Sequence, residues 1–342
     1  MKTDVPTTGP TAPDRSRSKV LGQVLGEAGI GVALLVLVLV FLAFAPQFGT
    51  GQNIRNIMTQ ITLNTILAVG MTFVVLVGGI DLSVGSVLAL SAVVAGSLMT
   101  WDALSPGTGL LLGVLAAVLV GALCGLVNGA VTERWKVPSF IITLGMLYVA
   151  RGAAQEYTNA QTIYNLPREL TLFGTATFLG LPAVFVVALA LVALGWFVLS
   201  RTVFGRLVYA VGTNEEAVRL AGHRTGWVKV SVFVIAGVCV GIAAVVYMAR
   251  LNIASPILGN GYELNAIAAV VIGGASLTGG RGSMIGTLLG ACLLGVLSNG
   301  LILLGVSDFQ RTMITGGVII VAVVLDAYRR RVATRLNSVI TV

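Results

Sequence analysis

The chain has 342 residues, of which 56% are hydrophobic and only 10% are charged, whereas soluble domains average roughly 25% charged residues. This composition excludes an ordinary soluble domain and indicates that lipid is the main solvent. The net charge of +8 does not indicate nucleic-acid binding, because the basic residues lie in predicted loops and tails without interleaved aromatic residues.

The two ends of the chain are polar. Residues 1–27 are basic and rich in proline and threonine, which predicts a disordered cytoplasmic N-tail. A cleavable signal peptide is disfavoured, because no small-residue cleavage site follows the apolar run at 30–45. Residues 329–342 form a basic C-tail, so the predicted transmembrane domain covers 28–328.

Apolar runs of about 20 residues, the length that crosses a bilayer as a helix, recur throughout this domain. The fold class is therefore all-α, a polytopic membrane protein with ten transmembrane helices. The predicted spans are 28–45, 57–78, 84–100, 109–131, 138–157, 181–200, 230–249, 263–277, 284–304 and 311–328.

The distribution of basic residues predicts the orientation. With the N-tail in the cytoplasm, 16 of the 21 lysines and arginines fall on the cytoplasmic face and four on the opposite face. Cytoplasmic segments of membrane proteins carry this excess. An odd number of spans would place one basic tail on the wrong side, so we predict ten spans and two cytoplasmic termini.

The sequence also repeats itself with a shift of five predicted helices. An odd shift means that the two halves run in opposite senses through the bilayer, which is a 5+5 inverted repeat typical of transporters. Chance similarity between helices rich in glycine, alanine and leucine is the alternative. The matching segments are 121–129 with 290–300, 137–145 with 306–316, and 85–94 with 261–271.

Two glycine-rich segments interrupt the apolar pattern. In the first, VGGIDLSVGS, Gly78 and Gly79 break the second span, and Asp81 and Ser83 are placed to cap the third. A charged carboxylate at the bilayer centre costs about 2.5–3.5 kcal/mol. Asp81 is therefore expected near the cytoplasmic face or bonded to backbone N–H groups. A helix cap and a role in gating both remain open.

The second interruption, GGASLTGGRG at 273–282, resembles the first. The segment, with Gly273 and Gly274 at its start, forms a similar break between the eighth and ninth predicted spans, and Arg281 follows a second glycine pair. Arg281 is expected at the cytoplasmic mouth of a pathway, or it only follows the excess of basic residues on that face.

The longest predicted cytoplasmic loop, 201–229, contains a short amphipathic helix. Asn214 is the predicted N-cap, Glu215 and Glu216 occupy the first turn, and Gly222 ends the helix. A short helix held along the membrane by two spans suits contact with a partner ATPase. The alternative is a solvated loop helix with no partner.

Several neutral polar residues lie inside the predicted spans, and such groups suit a pathway for an uncharged hydroxylated solute. Bonds between helices are the alternative for each of them. Two of the asparagines also precede glycines and are candidates for helix C-caps. The candidate pathway residues are Asn64, Asn128, Tyr148, Asn265 and Asn299.

The sequence lacks the motifs of the common catalytic and metal sites. It contains no GxxxxGK[ST] phosphate loop, HExxH, CxxC or GxSxG. We predict no catalytic residue and no metal ligand, and so no enzyme. Carboxylates are scarce inside the spans, whereas ion-driven carriers usually bury them, which favours an external energy source. An ion-coupled secondary carrier stays open as an alternative.

Four segments resemble the permease subunits of ribose-type bacterial ABC sugar importers, which share a superfamily with branched-chain amino-acid permeases. The similarity extends over about residues 30–328. The segments are VVLVGGIDLSVGSVLAL at 74–90, VPSFIITLGMLYVARG at 137–152, VGTNEEAVRLAG at 211–222 and NAIAAVVIGGASLTGGRGSMIGTLLGACLLGVLSNGL at 265–301.

The resemblance implies a multi-pass subunit of the bacterial plasma (inner) membrane that pairs with a copy or a close relative. Its implied partners are a cytoplasmic ABC ATPase, which binds ATP and magnesium, and an extracytoplasmic sugar-binding protein. No cofactor is implied for this chain itself. The coupling helix of that family aligns with 211–222, so Glu215, Glu216, Arg219 and Gly222 are the implied coupling residues. An ABC permease for branched-chain amino acids is the other alternative.

Overall fold

The computed structural model describes residues 15–321 and 324, with side chains from residue 28 onward. That part of the chain is almost entirely helical. Its helices are α1 (Arg15–Phe44), α2 (Gly51–Leu76), α3 (Val84–Met99), α4 (Pro106–Trp135), α5 (Ser139–Tyr157), α6 (Arg168–Thr175), α7 (Ala183–Arg201), α8 (Val203–Thr213), α9 (Glu215–Leu220), α10 (Thr225–Leu251), α11 (Tyr262–Ile272), α12 (Met284–Leu303) and α13 (308–321). A short antiparallel hairpin pairs β1 (Thr177–Phe178) with β2 (Leu181–Pro182).

Every predicted span coincides with a helix in the described residues. Five of these helices, α2, α4, α7, α10 and α12, are long and apolar enough to cross a membrane. Shorter apolar helices stand at three further predicted spans, in α1, α3 and α11. The chain is thus an all-α, multi-pass membrane protein.

Several boundaries differ from the sequence prediction. Helix α1 begins at Arg15, so residues 15–27 are helical where we predicted disorder. The physical reason is the apolar spacing of Val20, Leu21, Val24 and Leu25 beyond the last proline of the tail, which continues the period of the first span. Residues 1–14 and the C-tail lie outside the described residues.

Two connections contain structure that hydropathy missed. Helices α8 and α9 both lie between α7 and α10, and α10 begins at Thr225, five residues before its predicted start. The segment between α5 and α7 contains α6 and the hairpin, whose tip has Leu179 and Gly180 at positive φ. Helix α11 ends before Gly273, because Gly274 adopts a φ of +86°.

Helix α2 lies at the centre of the bundle and is buried along most of its length from Ile61 to Leu76. It packs against α10, α11 and α12, while α10 packs against α2, α3 and α4. In the predicted repeat, α2 corresponds to α10, α11 to α3, and α12 to α4. The helices that pack against α2 are therefore the counterparts, in the predicted repeat, of the helices that pack against α10.

Glycines bring α4 and α10 into close contact, as small residues do where no hydrophobic effect drives helix association in lipid. A Cβ at Gly121 would overlap the carbonyl oxygen of Gly237, and a Cβ at Gly237 would overlap that of Gly121. A Cβ at Gly129 would lie 2.9 Å from the Val230 Cα. These spaced glycines are therefore packing positions between the two helices.

Candidate functional site

Helix α9 has the local structure that its sequence predicts. The Asn214 side chain accepts a hydrogen bond from the Ala217 N–H at 3.0 Å, as an N-cap does. At the other end, the Gly222 N–H donates to the Arg219 carbonyl at 3.0 Å, and Gly222 has a φ of +86°. Glycine tolerates this conformation, which stops the helix.

The two faces of α9 differ in exposure. Val218 is buried toward the protein, whereas Glu216 and Arg219 form an exposed ion pair at 2.6 Å. Leu220 is 80% exposed. This exposed face, with a large apolar side chain beside an ion pair, is the candidate surface for a partner protein.

A groove of about 400 Å³ opens between α8 and α9, next to this exposed face. Its floor is apolar and its edge carries one arginine and the single histidine of the chain. The lining residues are Val203, Arg206, Leu207, Ala210, Ala217, Val218, Ala221 and His223. The groove and the outer face of α9 together form what we call the coupling surface.

Charged groups tie α9 to the transmembrane helices. Lys229, in the first turns of α10, pairs with Glu215 of α9 and lies 3.6 Å from Glu133 near the end of α4. Lys136 also pairs with Glu133, and the Thr225 hydroxyl donates to Glu215 at 3.2 Å. Helix α9 is therefore bonded directly to the start of α10 and, through Lys229, to the end of α4.

The pKa of Glu215 follows from these contacts. Burial alone would raise the pKa of this carboxyl, but the hydrogen bond and the charge of Lys229, with a further hydrogen bond from Thr225, outweigh burial and lower it below its ordinary value of 4.5. A carboxyl with a lowered pKa in the folded state stabilises that state above its unfolded pKa, and the contribution disappears as pH falls through the folded pKa.

Glu215→Gln is accordingly expected to lower the melting temperature of the detergent-solubilised protein at pH 7. The difference from wild type should shrink as pH falls below 4.5, first because the unfolded carboxyl takes up a proton and then because the folded one does. Thermal unfolding measured from pH 7 to pH 3.5 checks this. Glu216→Gln, on the exposed face, is the matched control. An equal difference at all pH values would exclude the Glu215–Lys229 pair as its source.

Helix α8 joins the coupling surface to both helix breaks. A Cβ at Gly212 would overlap the carbonyl oxygen of Leu76, at the end of α2, and would lie 2.5 Å from the Gly280 nitrogen. The Tyr209 hydroxyl donates to the Gly282 carbonyl at 2.9 Å. The two breaks also bond to each other, because the Gly280 N–H donates to the Leu76 carbonyl at 2.9 Å.

The first break, residues 77–83, is held by α5. The Ile80 N–H donates to the Ser139 hydroxyl at 2.9 Å, and the Leu82 N–H donates to the Thr143 hydroxyl at 3.1 Å. The Thr143 hydroxyl in turn donates to the Ile80 carbonyl at 3.1 Å. Side chains of a neighbouring helix thus satisfy backbone groups that the break leaves without helical partners.

Asp81 lies inside this break and is only 4% exposed. Its Oδ1 accepts hydrogen bonds from the Ser83 N–H at 2.8 Å and from the Ser83 hydroxyl at 2.6 Å. Ser83 stands at the N-cap position of α3, but its side chain forms no capping bond. The prediction that Ser83 caps α3 is therefore wrong, whereas Asp81 bonds to a backbone N–H group as expected. The hydroxyl bonds to Asp81 instead.

The second break, residues 273–283, is a compact turn. The Ser276 N–H donates to the Arg281 carbonyl at 2.8 Å. Gly274, like Gly279 and Gly280, adopts positive φ, which glycine accepts without strain. The Arg281 side chain is exposed, on the same part of the molecule as α8.

The first break also meets the connection on the other side of the bundle. A Cβ at Gly85, in the first turn of α3, would overlap the Gly259 carbonyl oxygen between α10 and α11. Arg151 of α5 donates to the carbonyls of Pro256 and Leu258, each at 2.7 Å. Connections from opposite predicted faces therefore meet at the start of α3, which places that start within the depth of the bundle.

Comparison with known proteins gives the family. Residues 53–323 match the family described as the permease component of the branched-chain amino acid transport system. The chain belongs to this permease family. No solved structure matches it.

Three relatives of the permease are named for different sugars. The ribose import permease of Escherichia coli (strain K12) is 42% identical over 300 residues, 86% of this chain and 92% of the relative. The L-arabinose ABC transporter permease of Azospirillum brasilense is 38% identical over 320 residues, 93% and 92%. The fructose import permease of Rhizobium meliloti is 37% identical over 335 residues, 94% and 92%.

The five candidate pathway residues lie in different surroundings in the permease structure. Asn128 donates to the Ser83 hydroxyl at 3.0 Å, and Asn299 exchanges hydrogen bonds with Asn53 of α2 at 2.9 and 3.1 Å. Both asparagines are buried between helices, and their helices continue beyond them, so the C-cap alternative is wrong. Tyr148 is 71% exposed on α5. A role in the pathway stays a prediction for all five, including the half-buried Asn64 and Asn265.

Two residues that contact the breaks, Ser139 and Gly212, were not singled out from the sequence, and Thr143 was identified only as one of the neutral polar residues inside the spans. Ser139 and Thr143 hold the first break, and Gly212 joins α8 to both breaks. Ser139 and Thr143 lie in the segment that repeats at 306–316, which was an available signal. Gly212 lies in α8, which hydropathy does not detect because the helix has only 11 residues and polar ends.

Proposed function

We propose that the chain is the transmembrane permease subunit of an ATP-binding-cassette importer that moves a monosaccharide or a related polyol into the cytoplasm. The contact of α8 with both helix breaks is the observation that supports this most directly. It provides a continuous route from a cytoplasmic helix that a partner can move to the broken helices inside the bundle.

The sugar assignment rests on the relatives. Permeases named for ribose, arabinose and fructose are 37–42% identical to this chain over most of its length. The polar side chains between the helices, such as Asn64 and Asn265, are neutral, which suits an uncharged hydroxylated solute. A branched-chain amino acid is the second candidate, because the matching family carries that description.

Ten spans with both termini in the cytoplasm form the proposed topology. The excess of basic residues on one face supports the orientation, and the paired neighbours of α2 and α10 support the inverted repeat. This orientation places the coupling surface in the cytoplasm and the hairpin outside. The expected location is the bacterial plasma (inner) membrane, as a multi-pass subunit.

A second permease subunit, a copy or a close relative, is the proposed neighbour of α5. The outward face of α5 presents Tyr148 between Gly145 and Gly152, and a Cβ at either glycine would contact nothing. Small residues and an aromatic hydroxyl in a row are typical of helix contacts in membranes rather than of lipid-facing surfaces. The solute pathway would lie between the two subunits, with membrane lipid around them.

Energy is proposed to come from a separate cytoplasmic ABC ATPase, which binds the ATP and the magnesium, so that this chain needs no cofactor. An extracytoplasmic sugar-binding protein delivers the solute. When the ATPases close, they move α9, and α8 transmits that movement to the breaks at 77–83 and 273–283. Alternation between outward and inward access then follows from a change at these breaks.

Uptake measurements in cells test the source of energy and the class of solute together. In a strain whose own copy is deleted and replaced by a plasmid copy, labelled ribose, arabinose, fructose and leucine are supplied one at a time. We expect uptake of at least one sugar, abolished when arsenate depletes ATP. Leucine uptake alone would assign the chain to amino acids, and uptake that fails with a protonophore but survives arsenate would establish an ion-coupled carrier.

Glu216→Arg tests the coupling surface in the same strain. It breaks the pair with Arg219 and places two positive charges one turn apart on the exposed face. We expect uptake to fall about tenfold or more with an unchanged amount of protein in the membrane, since a charge reversal at a contact costs a few kcal/mol. Asp102→Arg, in the connection between α3 and α4, is the control. Normal uptake and normal ATPase activity in Glu216→Arg would refute the coupling role.

A further inference from the structure

Asp81 is an acidic side chain in an environment that provides no balancing charge. It is 4% exposed and lies in the break between two helices, next to α3 and α4. Within the part of the chain that the structure describes, no lysine, arginine or histidine forms an ion pair with it. The two hydrogen bonds from Ser83 reach only Oδ1 and carry no charge, so a buried carboxylate here lacks a countercharge and is disfavoured in a medium of low dielectric constant.

Asn128 of α4 has a buried side-chain oxygen without a hydrogen-bond donor. It is 1% exposed, and its Oδ1 accepts no hydrogen bond, although it lies out of reach of solvent. Its Nδ2 donates to the Ser83 hydroxyl at 3.0 Å, which places the Asn128 amide one hydrogen bond away from Asp81. A buried amide oxygen left without a donor is uncommon in folded proteins and costs free energy.

The three side chains already form an open chain of donors. The Asn128 amide donates to the Ser83 hydroxyl, and that hydroxyl donates to Asp81 Oδ1 at 2.6 Å. The chain runs in one direction, from Asn128 to Asp81. At one end of this series of hydrogen bonds, Asn128 Oδ1 accepts no hydrogen bond. At the other end, the Asp81 carboxyl has no countercharge. One hydrogen atom on the second carboxyl oxygen would supply both.

We propose that Asp81 is held in its neutral, protonated form, with its Oδ2 hydroxyl donating to Asn128 Oδ1. This bond closes a ring of three side chains, Asp81 to Asn128, Asn128 to Ser83 and Ser83 back to Asp81. Every donor in the ring then points at an acceptor, and bonds arranged in one direction strengthen one another. The ring contains no net charge.

The ring makes Asp81 a positioning residue for the first helix break. It joins the start of α3, where Ser83 stands, to the last third of α4, in addition to the contacts from Ser139 and Thr143 of α5. The break is thus fixed by neutral hydrogen bonds to two helices. This property goes beyond the proposed transport function, since it concerns the protonation of one side chain and holds for any solute.

Infrared difference spectroscopy detects the proton directly. The purified permease in lipid, at pH 7.5, is compared with Asp81→Asn for the C=O stretching band of a protonated carboxylic acid, which shifts on exchange into D₂O. We expect the band in wild type, its loss in Asp81→Asn, and its retention in the control Glu156→Gln. An identical spectrum for wild type and Asp81→Asn means an ionised Asp81 and overturns the proposal.

Two other ways of satisfying the site predict different results. A bound sodium ion on an ionised Asp81 would give no acid band and a melting temperature that rises with sodium at constant ionic strength. An ionised Asp81 facing a reversed Asn128 amide would give no band and no dependence on sodium. Either result excludes the protonated ring.

Thermal stability provides a second measurement that does not depend on transport. Asparagine has the shape of a protonated aspartate and can donate to Asn128 Oδ1, so Asp81→Asn should melt within about 2 °C of wild type. Asp81→Leu and Asn128→Leu break the ring, and each should lower the melting temperature by at least about 4 °C. The loss in the double variant should not exceed the sum of the two single losses. Equal losses for Asp81→Asn and Asp81→Leu would show that the ring requires the negative charge, contrary to the proposal.

Discussion

Gly212→Val is expected to abolish at least about nine-tenths of ATP-dependent uptake while the protein still reaches the membrane. A side chain at this position overlaps the carbonyl of Leu76 and the backbone of Gly280, and backbone atoms cannot move aside as a flexible side chain can. Overpacking of this kind costs about 1–3 kcal/mol. Because the overlap involves the ends of both breaks, α8 must separate from at least one of them.

The measurement pairs uptake with ATPase activity in the reconstituted complex. If α8 transmits movement of α9 to the breaks, Gly212→Val loses uptake and leaves ATP hydrolysis largely intact. Gly107→Val is the matched control, since a Cβ at Gly107 meets no other atom. Uptake by Gly212→Val within twofold of the control would show that the contact between α8 and the breaks has no part in transport.

Helix α9 was predictable because its determinants are local. An N-cap, a first-turn acidic pair and a terminal glycine lie within nine residues, and the structure shows the Asn214 cap and the positive φ of Gly222 where the sequence places them. Its partners were not predictable. The pairing of Glu215 with Lys229 depends on how α10 begins, five residues before the apolar run that defined the predicted span.

Hydropathy located the long helices because lipid requires about 20 apolar residues in succession. It missed α8, which has 11 residues and is amphipathic, with Gly205, Val208 and Val211 buried at a three-residue spacing. It also placed the end of the predicted span 263–277 too late, since the apolar Ala275 and Leu277 continue the pattern beyond Gly273 and Gly274, where the backbone turns.

The two helix breaks also have contacts that the sequence alone does not predict. Glycine pairs indicate where a helix ends, but they do not indicate what satisfies the free backbone groups. Ser139 and Thr143 do so from α5, some 60 residues away in sequence, and Asn128 reaches Ser83 from 45 residues away. Such pairs are set by helix packing, so a single sequence gives the residue types without the partners.

Gly121→Val is expected to have the largest effect on stability of any substitution in α4. The helix passes so close to α10 that Gly121 and Gly237 each lie against the other's carbonyl, so a side chain on either one forces the helices apart. Separation disrupts the neighbouring contacts of Gly125 with Phe233 and of Gly241 with Ala117 as well. We expect a melting temperature lower by about 5–10 °C, from an overpacking cost of about 1–3 kcal/mol, and less protein in the membrane.

Thermal unfolding in detergent, followed by size-exclusion chromatography, measures this change. Gly31→Val in α1 is the control, because a Cβ at Gly31 meets no other atom and the added valine only extends an apolar surface. Gly121→Val and Gly237→Val remove the same contact, so the double variant should melt no more than a few degrees below either single variant. Fully additive losses would mean that the two glycines act independently, and α4 and α10 would then not be held by a common backbone contact.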